Sequence, residues 1–176
     1  MDKYHLYNNV ECNINEDIII YPTFESMQLR KELIEGIYAY GYTIPSVVQQ
    51  RAIVPIIKGR NVVLKSLRST SKTTVIALSV LQIIDLSANE TQVLILSKTK
   101  EKTEQIAKIL IALGDFLNIS NYKSCFGVNS IQDNINILQN IQNGVQMISS
   151  SIDQVFKYQR NILTFSHLKM IIFELS

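Results

Sequence analysis

The feature that most constrains this chain is residues 61–73, NVVLKSLRSTSKT, which read as a strand, a loop and the start of a helix. An apolar run gives way to small polar residues and then to Lys72 and Thr73, and a helical pattern of apolar residues begins at Val75. A phosphate-binding P-loop has this layout, because backbone N–H groups and the positive end of a helix converge on an anion there. Lys72 and Thr73 fit the lysine and hydroxyl that complete such a site.

The same residues also allow a simpler interpretation. The P-loop pattern G-x-x-x-x-G-K-[ST] fails at both glycines, because Ser66 and Ser71 stand at those positions. An ordinary strand-to-helix turn, with a serine capping the helix and Lys72 pointing to solvent, explains these residues equally well.

Composition limits the class of protein. With 176 residues, 47% of them hydrophobic and 18% charged, we expect one globular domain. The net charge of +2 means that any nucleic-acid contact must come from a local patch. Cys12 and Cys125 lie far apart without neighbouring ligands, which favours neither a zinc site nor a disulfide framework. No signal peptide or membrane span is evident, so we expect a soluble intracellular protein with no membrane partner, in the nucleus or the cytoplasm.

Helical and strand-like patterns alternate after an aperiodic arm of residues 1–23. The predicted helices are residues 24–38, 45–58, 75–85, 100–116 and 131–141, with a short helical turn at 152–156. The predicted strands are residues 61–66, 92–97, 122–126, 145–149 and 169–174. This alternation predicts a doubly wound α/β domain with a mainly parallel sheet.

The segment FESMQLRKELIEGIYAYGYTIPSVVQQRAIVPIIKGRNVV resembles the start of the DEAD-box RNA helicases, most of all the eukaryotic initiation factor 4A group. The resemblance extends to Glu174. It implies a RecA-like P-loop NTPase domain, in which a mainly parallel sheet carries helices on both faces. Family members have two such domains, so we expect residues 24–176 to be the first, truncated at its Walker B strand, after an N-terminal arm of residues 1–23.

The resemblance also assigns an ATP site. Its Q motif falls on Phe24, Tyr42, Pro45 and Gln49, where an aromatic ring stacks on adenine and the Gln amide hydrogen-bonds the edge of the base. Without the family context, Tyr42 is equally a partly buried loop aromatic and Gln49 a solvent-facing helix residue.

The P-loop departs from the family pattern A-x-x-G-x-G-K-T. It reads S-L-R-S-T-S-K-T, and the resemblance assigns its residues Ser69, Thr70, Ser71, Lys72 and Thr73 to nucleotide binding. Ser69 and Ser71 replace both glycines. A residue with a Cβ that is held in a glycine conformation costs about 1–3 kcal/mol, so we expect a strained loop and weak or lost binding of ATP and Mg²⁺.

The RNA-contacting motifs are altered as well. The family's P-T-R-E-L-A corresponds to KTKEKT, which keeps Thr99, a cation at Lys100 and Glu101. Gly127 is what remains of a Gly-Gly motif, and Ser151 begins the counterpart of T-P-G-R. These residues are the RNA-binding candidates, and we expect weak binding because Lys lacks the bidentate fork of Arg. A helix N-terminus with solvated charged side chains explains residues 99–101 equally well.

The catalytic motif V-L-D-E-A-D corresponds to IFELS. Glu174 is the catalytic candidate and, with Thr73, the metal-ligand candidate, whereas Leu175 cannot orient a water molecule. We therefore expect a catalytically impaired helicase-like domain, a pseudoenzyme that binds nucleotide weakly or serves as an interaction module in RNA metabolism or translation. The alternatives are a working first half of a helicase, completed by a second RecA-like domain on another chain, and a structural interaction protein without a ligand.

Overall fold

The structure is a computed structural model that describes residues 11–13, 19–65, 69–117, 145–151 and 166–175. The chain divides into two compact units. Unit 1 takes its residues from Met1–Gln82 and Ala112–Leu117, and unit 2 from Ile83–Ile111 and Asn118–Ser176.

The first helix of unit 1 is shorter than the sequence predicts. A 3-10 turn covers Glu25–Met27, Gln28 then adopts the left-handed region with φ 56°, and helix α1 runs only over Lys31–Ala39. The backbone N–H of Arg30, just before α1, donates to the side-chain oxygen of Gln82 (2.8 Å). The prediction of one helix from residue 24 is therefore wrong. The apolar spacing continues across the break because the apolar residues on both sides of it are buried.

Helix α1 packs closely against another backbone segment at Gly36. A Cβ built on Gly36 would lie 3.2 Å from the carbonyl carbon of Leu113 and closer still to its oxygen. Gly36 and Leu113 are both buried. Only glycine permits this contact without moving one backbone away from the other.

Helix α2, Val47–Ile57, begins and ends close to the predicted positions. Ser46 caps its first turn, and the chain leaves the helix through Lys58 and Gly59, whose φ is +78°. Such a left-handed glycine is a common way for a helix to end.

The other elements of unit 1 extend the predicted strand–loop–helix segment. Strand β2, Val63–Lys65, pairs antiparallel with β1, Glu11–Asn13, so part of the predicted arm forms a strand. Helix α3 covers Ser69–Ile83 and begins six residues before Val75. The largest fully buried side chains of unit 1 include Phe24, Leu33, Ile37, Ile53, Leu78, Leu81 and Leu113.

Unit 2 contains a parallel three-stranded sheet, as the sequence predicts. Strand β3, Val93–Ser97, lies between β4, Met147–Ser151, and β5, Met170–Glu174. All five residues of β3 are buried, and β3 pairs in parallel on both edges. Helix α4, Lys100–Leu113, follows β3, and a 3-10 turn over Asp115–Leu117 replaces the predicted end of that helix.

Two buried glutamines fix the amino-terminal end of this sheet. The side chain of Gln92 accepts from the backbone N–H of Asp85 and donates to its carbonyl, both at 2.8 Å. Gln146 donates to the carbonyls of Leu86 (2.9 Å) and Ala88 (2.8 Å). These bonds satisfy loop backbone groups whose burial without partners would be costly.

Three predicted elements, the strand at 122–126, the helix at 131–141 and the turn at 152–156, lie outside the described residues. Within the described ranges, no helix has the length and apolar character that a bilayer crossing requires.

We expect Gly36→Ala to lower the free energy of unfolding by about 1–3 kcal/mol, because the added methyl group overlaps the Leu113 carbonyl. On an unobstructed helix face the same substitution would stabilise by about 1 kcal/mol. The sign of the change in the free energy of unfolding, measured in urea, therefore shows whether Gly36 is closely packed. Glu35→Ala, at an exposed position of the same helix, is the matched control, and a stabilised Gly36→Ala variant would contradict the close packing.

Candidate functional site

Gln49, the predicted adenine-binding amide, also caps a helix. The Gln49 side-chain oxygen accepts from the backbone N–H of Ser46 (2.7 Å), and the Ser46 hydroxyl accepts from the backbone N–H of Gln49 (3.5 Å). This reciprocal pair is a capping box. Gln49 is only 3% exposed, so the solvent-facing alternative is wrong. The S-x-x-Q spacing was the signal in the sequence for this role.

The capping box also orients the amide of Gln49. A backbone N–H must face an oxygen, so the Ser46 contact assigns the carbonyl end of the Gln49 side chain. Within the ranges the structure describes, the Gln49 amide nitrogen donates to no protein acceptor. An NH₂ group held in one orientation on a buried side chain is suited to donate to an acceptor nitrogen of a base.

Tyr42 lies in the loop before α2 and is held at two points. Its ring stacks on that of Tyr40, with centroids 5.3 Å apart and planes at 30°. Its hydroxyl hydrogen-bonds the Thr74 hydroxyl (3.1 Å). Tyr42 is half-buried, which suits both a base-stacking ring and a loop aromatic. Neither Tyr40 nor Thr74 carried a signal in the sequence.

Phe24 and Pro45, two further predicted nucleotide-binding residues, are both buried. Phe24 is fully buried, and its ring meets that of Tyr38 edge to face at 6.5 Å. The Tyr38 hydroxyl donates to the Glu25 carboxylate, which lowers the pKa of Glu25 and raises that of Tyr38. Pro45 is buried as well. Phe24 therefore exposes no ring face to a base.

The P-loop serines are part of helix α3, which begins at Ser69. Among the described residues, Gln28 is the one non-glycine residue with a positive φ, so Ser69 and Ser71 are not held in a glycine conformation. The expectation of a strained loop is therefore wrong. The backbone avoids the strain because it turns helical three residues before Lys72.

This early start places Lys72 inside the helix. Lys72 is the fourth residue of α3 and partly exposed. The first four backbone N–H groups of a helix, here those of residues 69–72, have no partner within the helix and carry its positive end. For Ser69 and Thr70 the structure describes only the backbone. Thr73, a predicted metal ligand, is buried at 1% exposure and already has an interaction within the protein.

Two of the predicted RNA-binding residues of unit 2, Thr99 and Lys100, have local partners. The Thr99 hydroxyl accepts from the backbone N–H of Lys102 (3.3 Å) at the start of α4. Lys100 lies 3.8 Å from Glu104 in an exposed ion pair, and Glu101 is exposed. Ser151 ends β4, with only its backbone described. Gly127 lies outside the described residues.

Glu174 ends β5 and is buried, whereas Leu175 is 65% exposed. The backbone carbonyl of Glu174 accepts from the N–H of Lys98 (3.2 Å). Its carboxylate lies 4.0 Å from the ammonium of Lys102. No group of three or more metal-binding side chains occurs in the described part of the chain. Lys102 was missed from the sequence, although a Lys where the family has Leu was a signal.

The family model of DEAD/DEAH box helicases matches residues 46–174. This chain belongs to the DEAD/DEAH box helicase family. It is 37% identical over 166 residues to the ATP-dependent RNA helicase FAL1 of Chaetomium globosum, which covers 94% of this chain and 41% of that protein. It is 40% identical over 166 residues to the ATP-dependent RNA helicase eIF4A of the same organism, and this match covers 94% of this chain and 40% of that protein.

The fold agrees with the family. The crystal structure of the RNA helicase Prp28 from Chaetomium thermophilum bound to ADP matches with a TM-score of 0.76 at 21% identity, over 94% of this chain and 41% of Prp28. The RecA-like fold class and the family resemblance are both confirmed. This DEAD-box chain spans about two fifths of the length of the curated relatives it matches.

We expect the double variant Ser69→Gly and Ser71→Gly to be less stable than the wild type, by up to about 1 kcal/mol per glycine, because glycine disfavours the helical first turn of α3. Thermal unfolding measures this loss. Titration with ATP and AMP then tests whether the loosened turn gains selectivity for the triphosphate.

The matched control is Ser69→Ala and Ser71→Ala, which removes the same hydroxyls and keeps the helix. A glycine variant with a higher unfolding temperature than the wild type would show that the serines are strained after all.

Proposed function

We propose that this chain is an adenine-nucleotide-binding DEAD-box domain that serves in RNA metabolism or translation as a weak binding and interaction module, with little or no ATPase activity of its own. The observation that carries the proposal is Gln49, a buried amide whose oxygen is bound to Ser46 and whose nitrogen has no acceptor among the described residues.

Base recognition uses residues of unit 1 alone. The NH₂ group of Gln49 donates to an acceptor nitrogen of adenine, and the second lone pair of its oxygen accepts from the exocyclic amine. Tyr42, with one face against Tyr40 and its hydroxyl bonded to Thr74, offers the remaining ring face for stacking. Both groups are held in place before the ligand arrives, which lowers the entropy cost of binding.

Phosphate recognition is weaker than base recognition. Lys72 and the backbone N–H groups at the start of α3 suit an anion, but residues 69–71 are helical, whereas a P-loop surrounds phosphates with a wider loop. We therefore expect AMP, ADP and ATP to bind with similar affinity.

We expect Gln49→Glu to weaken adenine nucleotide binding at least about tenfold. Glu keeps the capping box, since Glu serves at that position as well as Gln, but it replaces the NH₂ donor by an acceptor. Fluorescent-ADP titration measures affinity, and thermal unfolding measures stability.

Ser46→Ala is the matched control, because it removes the cap hydroxyl, at about 1 kcal/mol, and leaves Gln49 in place. Equal affinity in wild type and Gln49→Glu would contradict the proposed base contact. No rise in the wild-type unfolding temperature with millimolar adenine nucleotide would favour the ligand-free alternative.

Hydrolysis requires more than binding. DEAD-box catalysis needs an acidic residue that orients the attacking water and arginine fingers that stabilise the transition state. Leu175 stands in the position of that acid. In the family the arginine fingers come from the second RecA-like domain, so residues 1–176 assayed alone do not supply a group that is typically worth a factor of about 10³–10⁵ in rate.

We therefore expect phosphate release by this chain to stay at background, with and without RNA, and to stay there in a Leu175→Glu variant. In a parallel assay, phosphate release is measured after a second RecA-like domain from a family member is added. RNA-stimulated turnover by the unmodified chain alone would contradict the impaired-domain proposal.

RNA contacts through unit 2 are proposed to be weak. Thr99 and Lys100 are the two candidates with described side chains, and both already have partners on α4. Glu104 competes with an RNA phosphate for the Lys100 ammonium, so binding through this turn would be lost readily in salt.

A second candidate function, the first half of a helicase completed by another chain, is favoured by the surface of β5. Ile171 and Phe173 are 50% and 62% exposed and alternate along β5, so they share one face. Leu175, directly after the strand, is 65% exposed. Exposed apolar residues that line up in this way are typical of a protein-binding surface. Restored RNA-stimulated turnover on adding a second domain would support this candidate.

A further inference from the structure

The carboxylate of Glu174 is the buried acidic group that the proposed function leaves unused. Its side chain is 7% exposed, and the Lys102 ammonium lies 4.0 Å from it, on a side chain that is 17% exposed. Glu174 is the last residue of β5 and pairs with Ser97 of β3. Lys102 lies in the first turn of α4, five residues after Ser97.

A buried carboxylate requires a compensating positive charge, because burial removes it from water. Family members place an acidic group here that organises Mg²⁺. Magnesium needs nearly ideal octahedral coordination by oxygen atoms, including several waters. Glu174 does not fit that role, because the ammonium next to its carboxylate repels a dication.

We propose that the Lys102 ammonium takes the place of a divalent cation beside Glu174, so that the carboxyl end of β5 holds an internal ion pair instead of a metal site. The pair lies wholly within unit 2. It compensates the carboxylate permanently, whereas a metal does so only when it is bound. The proposal therefore holds whether or not unit 1 binds a nucleotide.

The two lysines in the first turn of α4 lie in different environments. The other lysine in the first turn of α4, Lys100, pairs with Glu104 in solvent, with side chains 49% and 43% exposed. Such surface pairs contribute little. Removing one partner of a buried pair is costly, because the other charge is left without compensation. Lys102 and Lys100 thus offer a matched comparison of a buried and an exposed pair on one helix.

The test uses the full chain without nucleotide, so that a failure of nucleotide binding does not affect it. Lys102→Met removes the ammonium and keeps the length of the side chain, and Lys100→Met is the control. Manganese binding is measured from the loss of the electron paramagnetic resonance signal of free Mn²⁺, and thermal unfolding is measured with and without millimolar Mg²⁺. We expect no specific Mn²⁺ site in the wild type or in Lys100→Met.

Lys102→Met should unfold at a lower temperature, recover with Mg²⁺, and bind Mn²⁺ at least about tenfold more tightly than the wild type. A Mn²⁺ site in the wild type as tight as in Lys102→Met would overturn the proposal.

Should Lys102→Met not fold, a double-mutant cycle with Glu174→Gln decides the question. In the Glu174→Gln background, Lys102→Met should fold and cost little stability, because no carboxylate remains to be compensated. An equal loss of unfolding temperature in both backgrounds, or a double variant that also fails to fold, would show that Lys102 does not compensate Glu174.

Discussion

The five buried residues of β3 hydrogen-bond to β4 on one edge and to β5 on the other, and this register determines where the functional groups of unit 2 lie. Gln92 sets the amino-terminal end, since its carbonyl accepts from Lys169 (2.7 Å) and from Met170 (3.2 Å) at the start of β5. At the other end, Glu174 is aligned with Ser97. The register fixes the backbone of Glu174 and its side chain is buried, so a positive charge beside it stabilises the carboxylate where it lies.

In unit 1, one side chain combines a structural role with a proposed binding role. Gln49 closes the first turn of α2 with its oxygen and keeps its nitrogen for a ligand. The stability of the helix and the proposed recognition of adenine therefore depend on the same residue, and most substitutions of Gln49 would damage both. The residues at the P-loop glycine positions have no such double role. With serine at positions 69 and 71, the backbone there is helical, a conformation that serine tolerates. This difference explains how a Q motif can persist beside an altered P-loop.

The sequence predicted the parallel strands well, because buried runs such as QVLILS leave few alternatives. It also predicted both ends of α2, where Ser46 and Gly59 are strong signals. It missed the break before α1, since the left-handed Gln28 has no sequence signature and the apolar spacing continues across it. The start of α3 was misplaced because its apolar helical pattern begins only at Val75, whereas the polar residues from Ser69 onward are helical as well. Contacts between distant residues, such as Tyr42 with Thr74, depend on packing and could not be read from local spacing.

The proposed pairing of Lys102 with Glu174 bears on how the sheet of unit 2 tolerates weak metal binding. A buried carboxylate whose metal binds poorly destabilises the sheet that holds it. An ammonium supplied by α4 removes that cost. A Lys at position 102 would thus keep the carboxyl end of β5 stable without a metal, and the stability of this sheet would not depend on nucleotide binding or hydrolysis.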